Sequence, residues 1–215
     1  KYATSLLESL VTDYELWERD RLLPSGLFWQ YDVRDGMEES ASGSRKNKNA
    51  RPTINSYMFG NAKAIAAIAR LAGKAELARA YDAKAARLRE LVERKLWDKE
   101  ARFFKALLDT GQLASVREEI GFTPWYFELP EPGHAFEAAW KQLMDPQGFF
   151  APYGPTTAEQ RHPAYGIHEV GDNCQWNGPS WPFSTAITLK ALANVLNDYE
   201  QRDISVDDYF RTFEI

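Results

Sequence analysis

The segment GLFWQYDVRDGMEES, residues 26–40, places carboxylates beside large aromatic side chains. Trp29 is followed closely by four acidic residues, which are Asp32, Asp35, Glu38 and Glu39. Proline and glycine residues in and before the segment exclude one long helix, so the segment is predicted to be a loop. Some of its carboxylates could be solvated or could cap the turn that follows.

Such a segment also suits acid–base chemistry. Hydrolysis of a glycosidic bond needs a protonated carboxylic acid beside the leaving oxygen and an ionised carboxylate that activates water or attacks the sugar. A neighbouring like charge or an aromatic wall raises a carboxyl pKa towards the value that a general acid needs. We therefore expect a catalytic acid among these residues, with Trp29 and Asp32 at the substrate.

A second pattern, GIHEVGDNCQWNGPSWPFSTA at residues 166–186, is the most specific in the chain. Trp176, Asn177 and Trp181 stand just before a long apolar segment, whose first helical turn accommodates Pro182. Asn177 is difficult to place in a core, because a buried amide needs hydrogen-bond partners. Trp181 could plug the start of the helix or face a ligand. We expect all three residues to contact substrate.

Three further residues are candidates for binding. Arg51 and Asn55 open a predicted helix in RPTINSYMFGNA, where they could cap the helix or hold substrate hydroxyls or a catalytic carboxylate. Trp125 belongs to GFTPWYFELP, which contains three consecutive aromatic residues. Three adjacent aromatics on a loop cannot all point inward, so Trp125 is predicted to line a cleft.

The aromatic content of the chain, 13%, favours a carbohydrate as the substrate. Several of the Trp, Tyr and Phe residues lie in loops rich in glycine and proline rather than at helical spacing. Sugar rings present CH faces that stack on aromatic side chains, and their hydroxyls need charged or amide partners.

Charge and composition exclude other classes of partner. The formal net charge of -5 gives no electrostatic footprint for nucleic acid. No apolar run approaches the ~18 residues of a membrane span, so no membrane partner is predicted. The single cysteine permits no internal disulfide, and the three histidines lack zinc-ligand spacing. No cofactor and no metal are predicted.

The elements that must position these residues are helical. Apolar residues recur at helical spacing, and strict alternation is absent, so the fold class is all-α. The predicted helices are Tyr2–Arg19, Thr53–Ala72, Glu76–Trp97, Pro132–Leu143, Pro182–Tyr199 and a last one from Ser205 or Asp207 to Phe213. Gly73 ends the second of them, and the turn there predicts an αα-hairpin with the third.

Three long connections carry most of the candidate residues: Leu22–Pro52, Leu113–Pro130 and Gly148–Trp181. Connections of this length are uncommon in compact domains unless they are functional or disordered, and two of them are too aromatic to be disordered. Short connections at one end and long ones at the other indicate a barrel of helical hairpins with its site at one mouth.

At this point the sequence resembles a known group. QWNGPSWPFSTAITLKALANVL is similar to the W-x-G-P-x-W-P signature, followed by a long helix, of (α/α)6-barrel glycosidases. These are the mannosylglycerate hydrolases, processing α-glucosidase I and, more distantly, the trehalases. DGMEESASG followed by RPTINSYMFGNAKAIAAIA resembles their acid-bearing loop and its helix. The resemblance extends from Leu22 to about Tyr199.

The resemblance implies an (α/α)6 toroid that cleaves an α-linked glucoside or mannoside with inversion. It places Glu38 where the better-known relatives carry the aspartate that acts as general acid, with Asp35 and Glu39 as alternatives. It also implies a general base well downstream of Trp181. We therefore expect residues 1–215 to form one catalytic domain that is only part of the barrel, with the remainder of the same domain as its partner.

Two other functions remain open from the sequence. A non-catalytic carbohydrate-binding fragment or scaffold would keep the aromatic wall and lack the general base. A sugar epimerase or isomerase on an α/α barrel would instead need a histidine, such as His162 or His168, beside the cleft.

Overall fold

The computed structural model describes residues 1–34, 36–133, 136–166 and 174–214. The candidate acid Asp35, and His168 of the isomerase hypothesis, lie outside the described residues. Within these ranges the chain forms seven α-helices, three short 3₁₀ helices and two strands of two residues each. The predicted all-α class is therefore confirmed.

The first part of the chain is built on four helices: α1 (Tyr2–Ser5), α2 (Leu7–Arg21), α3 (Pro52–Leu71) and α4 (Ala75–Lys95). The helix predicted over residues 2–19 is thus divided at Leu6, which lies between α1 and α2. Helices α3 and α4 pack along each other and form the predicted αα-hairpin, and α2 packs against α3.

Gly73 ends α3 as predicted, and the backbone shows why. Its φ of 72° is left-handed, a conformation that glycine adopts without steric cost. The N–H of Gly73 donates to the Arg70 carbonyl at 3.0 Å, and the N–H of Lys74 donates to the Ala69 carbonyl at 2.9 Å. These two bonds are the Schellman arrangement, which satisfies carbonyls at the helix end and reverses the chain into α4.

An aromatic core fills the centre of the molecule. The antiparallel strands β1 (Trp97–Asp98) and β2 (Phe103–Phe104) bring aromatic residues into it. A 3₁₀ helix at Phe136–Gln142 adds more, where the sequence predicts an α-helix over Pro132–Leu143. The connection Leu113–Pro130 is also different from the predicted loop. It contains the 3₁₀ helix Glu119–Phe122 and then α5 (Thr123–Tyr126), and most of both is buried.

Two helices complete the described chain. Helix α6 (Pro182–Asp198) carries Pro182 in its first turn, as predicted, and packs against α5. Helix α7 (Val206–Phe213) is capped by Ser205, whose Oγ accepts a hydrogen bond from the Asp208 N–H at 3.2 Å. The Asp208 carboxylate accepts in return from the Ser205 N–H at 3.0 Å, which completes a capping box.

A bilayer-spanning helix needs a long, nearly uncharged apolar run, and the helices of the described residues contain none.

Candidate active site

The segment DGMEESASG, residues 35–43, is called the acid loop below. Its described part, residues 36–43, is held in a tight fold against the 3₁₀ turn that contains Asp32. A Cβ placed on Gly43 would lie 2.4 Å from the Ser40 Oγ and 2.6 Å from the Asp32 Cβ, so only glycine permits this approach. Asp32 itself is buried, and its N–H donates to the Ser44 carbonyl at 3.2 Å. Asp32 therefore lies beneath the acid loop.

The turn at Glu38 and Glu39 is strained. Glu39 has a φ of 54°, a left-handed conformation that costs a residue with a Cβ on the order of 1 kcal/mol. Its carboxylate pairs with the Arg45 guanidinium at 2.9 Å near the surface. Glu38 is half-buried, and the preceding Met37 is buried against Ile120 and Trp176. Glu38 thus lies between Met37, which is packed in the interior, and Glu39, which is paired with Arg45 near the surface.

Arg51 connects the acid loop to the start of α3. Its side chain is fully buried, and its Nη1 donates to the Ser40 Oγ at 2.7 Å. A buried guanidinium beside this loop places a fixed positive charge near the candidate acids. Arg51 is also the N-cap residue of α3, and its contact with substrate or with a catalytic carboxylate stays a prediction.

Asn55 uses its amide on the backbone. Its Oδ1 accepts from the Phe28 N–H at 2.8 Å, and its Nδ2 donates to the carbonyls of Phe28 and Arg51 at 2.9 and 2.8 Å. Both amide hydrogens are therefore engaged, and the residue is fully buried. Asn55 clamps the strand-like segment before Trp29 onto α3, and we leave it out of the proposed substrate contacts.

The segment QWNGPSWP, residues 175–182, is called the Trp block below. Its two tryptophans stack face to face, with ring centroids 4.9 Å apart and planes inclined by 7°. The Trp181 Nε1 donates to the Gln175 carbonyl at 2.8 Å, which fixes the ring. Trp176 is nearly buried and contacts Met37 of the acid loop, whereas Trp181 is half-buried. The pair forms a flat apolar wall beside the acid loop.

Asn177 lies behind this wall with only part of its amide engaged. The side-chain Nδ2 donates to the Ala164 carbonyl at 3.1 Å, and the backbone carbonyl of Asn177 accepts from the Gly166 N–H at 3.0 Å. A Cβ on Gly178 would lie 1.9 Å from the Gly166 carbonyl oxygen, so glycine is required for this close approach. Among the described residues the buried Asn177 Oδ1 has no hydrogen-bond partner.

A small cavity lies where these segments meet. It measures about 10 Å³, the room that one water molecule needs. Its wall is formed by the acid loop, the start of α3, the Trp block, the start of α6 and the segment before α5, through Met37, Ser40, Arg51, Glu118, Glu119, Ile120, Thr157, Trp176 and Ser184. The acid loop and Arg51 are therefore brought together with Trp176, which is far from both in the sequence.

Two buried carboxyl groups in this wall are absent from the residues proposed from the sequence. The Glu118 carboxylate accepts hydrogen bonds from the N–H and the Oγ of Ser42 in the acid loop. The Glu119 carboxyl accepts from the Ser184 Oγ at 2.5 Å and from the Thr188 Oγ1 at 2.9 Å, both in α6. Burial raises the pKa of Glu119 from 4.5 to about 8, and the two hydroxyl bonds oppose this rise. The signal in the sequence is an acidic pair set between Val116 and the apolar run that begins at Ile120.

Of the four candidate tryptophans only Trp176 lines this cavity, and Glu38 and Asn177 do not line it either. Trp29 is nearly buried, and the Arg21 guanidinium and the Lys48 ammonium lie 4.3 and 5.0 Å from its ring centroid. Trp125 is fully buried in the aromatic core, with Phe104 and Trp140 at centroid distances of 5.4 and 5.5 Å. We leave Trp125 out of the proposed substrate contacts, because an enclosed side chain cannot touch a ligand.

No group of three or more His, Cys, Asp or Glu side chains in the described part of the chain is arranged to hold a metal ion.

Helical hairpins with long loops, a carboxylate-bearing loop and a stacked tryptophan pair define the class of (α/α)6-barrel glycosidases, and the chain folds as part of such a toroid. The chain belongs to the family of the mannosylglycerate hydrolase MGH1-like glycoside hydrolase domain, whose family model matches residues 1–214. The resemblance seen in the acid loop and the Trp block is therefore confirmed.

Solved structures show the same fold. One described as a sialidase is 49% identical, with a TM-score of 0.94, and the match covers 98% of this chain and 19% of that one. The GH63 mannosylglycerate hydrolase from Thermus thermophilus, in complex with glucose, is 19% identical with a TM-score of 0.57, covering 68% and 35%. The neutral trehalase Nth1 from Saccharomyces cerevisiae is 16% identical with a TM-score of 0.54, covering 68% and 28%.

This chain thus spans between about a fifth and about a third of the length of these three structures. No curated protein matches it.

Proposed function

We propose that this chain is part of the catalytic domain of a glycoside hydrolase that cleaves an α-linked glucoside or mannoside with inversion. The observation that carries the proposal is the meeting of the acid loop, Arg51 and the Trp block, which together enclose a cavity with room for one water molecule. An aromatic wall that faces a carboxylate-bearing loop suits an oxocarbenium-like transition state, in which the ring stacks while the leaving oxygen takes a proton.

Glu38 is the proposed general acid. It is half-buried and does not itself line the cavity, but the preceding Met37 lies in the cavity wall. The strained turn at Glu39 supports this assignment, because backbone strain is retained where the surrounding structure fixes a functional geometry. Asp35 remains an alternative acid. Glu39 is a weaker one, because its carboxylate is paired with Arg45 at the surface.

The contacts to substrate are proposed from the same geometry. The half-buried Trp181 would present its ring to the sugar, with the buried Trp176 stacked behind it, and the side-chain amide of Asn177 would form a hydrogen bond with a hydroxyl. Trp29 and Asp32 would support the acid loop from below. We propose that residues 1–215 form one domain with the remainder of the barrel, which would supply the general base.

The test is a hydrolysis screen of the full-length protein with α-glucosides, α-mannosides and glycosyl-glycerates, with product anomers followed by NMR. Sialosides form a separate arm, because the 49%-identical structure is described as a sialidase. Glu38→Gln should abolish nearly all hydrolysis and retain sugar binding. Glu39→Gln is the matched control and should retain most activity. A Glu38→Gln variant with wild-type turnover would contradict the assignment of the acid.

The non-catalytic alternative makes a different prediction in the same screen. A carbohydrate-binding scaffold would bind the sugars and release no product with any substrate. The isomerase alternative needs a histidine beside the cleft, and His162 is not placed there. His162 does not line the cavity, and its Nε2 lies 3.0 Å from the Ser115 Oγ.

A further inference from the structure

Two consecutive glutamates, Glu118 and Glu119, lie between the acid loop and the Trp block and take no part in the proposed hydrolysis. Glu118 contacts the acid loop through Ser42. Glu119 contacts the first two turns of α6 through Ser184 and Thr188. Both side chains are almost fully buried. The Glu118 carboxyl thus holds the acid loop, and the Glu119 carboxyl holds the start of α6, which follows the Trp block.

The backbone of the pair explains this division. Glu118 has an extended conformation, with φ of -123° and ψ of 150°, and the 3₁₀ helix starts at Glu119. Successive side chains of an extended segment point in opposite directions. One carboxyl therefore reaches the acid loop, while the next one reaches α6.

The third residue of the segment joins the two halves directly. Ile120 is buried and packs against Met37 of the acid loop and Trp176 of the Trp block. Glu118 and Ile120 thus contact the acid loop, and Glu119 and Ile120 contact α6 and the Trp block.

The segment is itself anchored from the other side. The Glu119 N–H donates to the Thr157 carbonyl at 2.9 Å. The preceding Arg117 donates from its N–H and its Nη1 to the Glu159 carboxylate at 2.8 and 2.6 Å, and this carboxylate is buried. A fixed backbone whose side chains are held by hydrogen bonds is a means of positioning other groups, because it leaves them few alternative arrangements.

We propose that Glu118 and Glu119 are positioning residues, with Glu118 setting the position of the acid loop and Glu119 setting the start of α6 and the Trp block. This inference rests on the proposed function of the site. It predicts that the two neighbours act on different steps. Displacement of the acid loop slows proton transfer, whereas displacement of the tryptophan wall weakens sugar binding.

The kinetic test uses the full-length protein with the best substrate of the screen. Glu118→Ala should lower kcat about 10- to 100-fold and change KM little, because small displacements of a reacting group are costly. Glu119→Ala should raise KM about tenfold or less and change kcat little, because the wall contributes stacking. Glu118→Gln and Glu119→Gln, which keep an acceptor oxygen, should restore much of each loss. Equal effects of both alanine variants on kcat and KM would overturn the proposal.

Hydrogen exchange separates this inference from the proposed function. In Glu118→Ala the amides of residues 36–43 should exchange faster, while those of residues 175–188 should keep their protection. In Glu119→Ala the pattern should be reversed. Ser42→Ala and Ser184→Ala each remove one hydrogen bond of the respective glutamate from the partner side, and they serve if the glutamate variants do not fold. Uniform loss of protection in both segments would overturn the proposal, whereas absence of hydrolysis in the wild type would overturn only the proposed function.

Discussion

Two tryptophan pairs in this protein place the same side chain in opposite surroundings. Trp125 and Trp140 are fully buried in the aromatic core, with ring planes inclined by 70°. Trp176 and Trp181 stack almost in parallel beside the acid loop. The core indoles have no hydrogen-bond partner for Nε1 among the described residues, whereas the Trp181 Nε1 donates to a carbonyl. The core pair contributes packing, and the second pair presents an aligned face next to polar groups.

Of the substitutions that test the difference between the two pairs, one in the core should have the largest effect. Trp125→Ala removes a fully enclosed side chain, so the free energy of unfolding should fall by about 3–5 kcal/mol. Urea unfolding followed by far-ultraviolet circular dichroism measures this. A loss below about 1 kcal/mol would show that the core around Trp125 collapses readily or that the side chain is not enclosed.

The second effect concerns Glu119, at the border between the core and the site. Burial raises its pKa to about 8, so between pH 4.5 and 8 the folded chain holds a proton that the unfolded chain lacks. Its contribution to the free energy of unfolding is therefore fully present below pH 4.5 and is lost as the pH rises through 8. Ser184 and Thr188 face the carboxyl from α6, and Arg51 and Glu118 share its cavity.

Glu119→Gln replaces this group with one that does not titrate. The stability of the wild type relative to the variant should fall by a few kcal/mol as the pH rises from about 5 to about 9, as measured by urea unfolding at several pH values. A difference that stays constant over this range would mean that the carboxyl is ionised throughout.

A smaller effect is expected at the stacked pair. Trp181→Ala removes the more exposed ring of the stacked pair, so sugar binding should weaken about 3- to 10-fold, while the free energy of unfolding changes by less than about 1.5 kcal/mol. Isothermal titration with methyl α-glucoside and methyl α-mannoside measures the affinity. Tyr2→Ala is the control, because this aromatic in α1 is 79% exposed and does not share a pocket with Trp181. Equal losses in both variants would contradict a role for the wall.

The smallest effect is expected far from both pairs. Ser205→Ala removes the capping box of α7, which should lower the free energy of unfolding by about 1 kcal/mol and leave sugar affinity unchanged. Thermal unfolding and the same titration check the two parts. A change in affinity would show that α7 is coupled to the site.

The sequence predicts what depends on local periodicity and on turn residues. The α3–α4 hairpin, the stop at Gly73 and the start of α6 at Pro182 follow from helical spacing and from the backbone preferences of glycine and proline. The acid loop and the Trp block were recognisable because their residue types are unusual for a loop. Their meeting around one cavity agrees with the expected barrel.

The sequence does not reveal partners that are set by long-range contacts. Glu118 and Glu119 find their hydroxyl partners 65 to 76 residues away, and no local pattern indicates which side chains those are. Trp125 was placed in a cleft because three adjacent aromatics cannot all be buried in an exposed loop. The segment is instead a buried turn of α5, and the residue that faces outward is Tyr126, which is 37% exposed.

The central claim is that Glu38 delivers a proton to the leaving group at the wall formed by Trp176 and Trp181. The most direct measurement compares Glu38→Gln with the wild type on two glycosides of one sugar, one with an alkyl leaving group and one with a nitrophenyl leaving group. Loss of a general acid should lower kcat/KM by about 10²- to 10⁴-fold for the alkyl glycoside and far less for the nitrophenyl glycoside, which leaves without a proton. Equal losses for both substrates, or none, would contradict the claim.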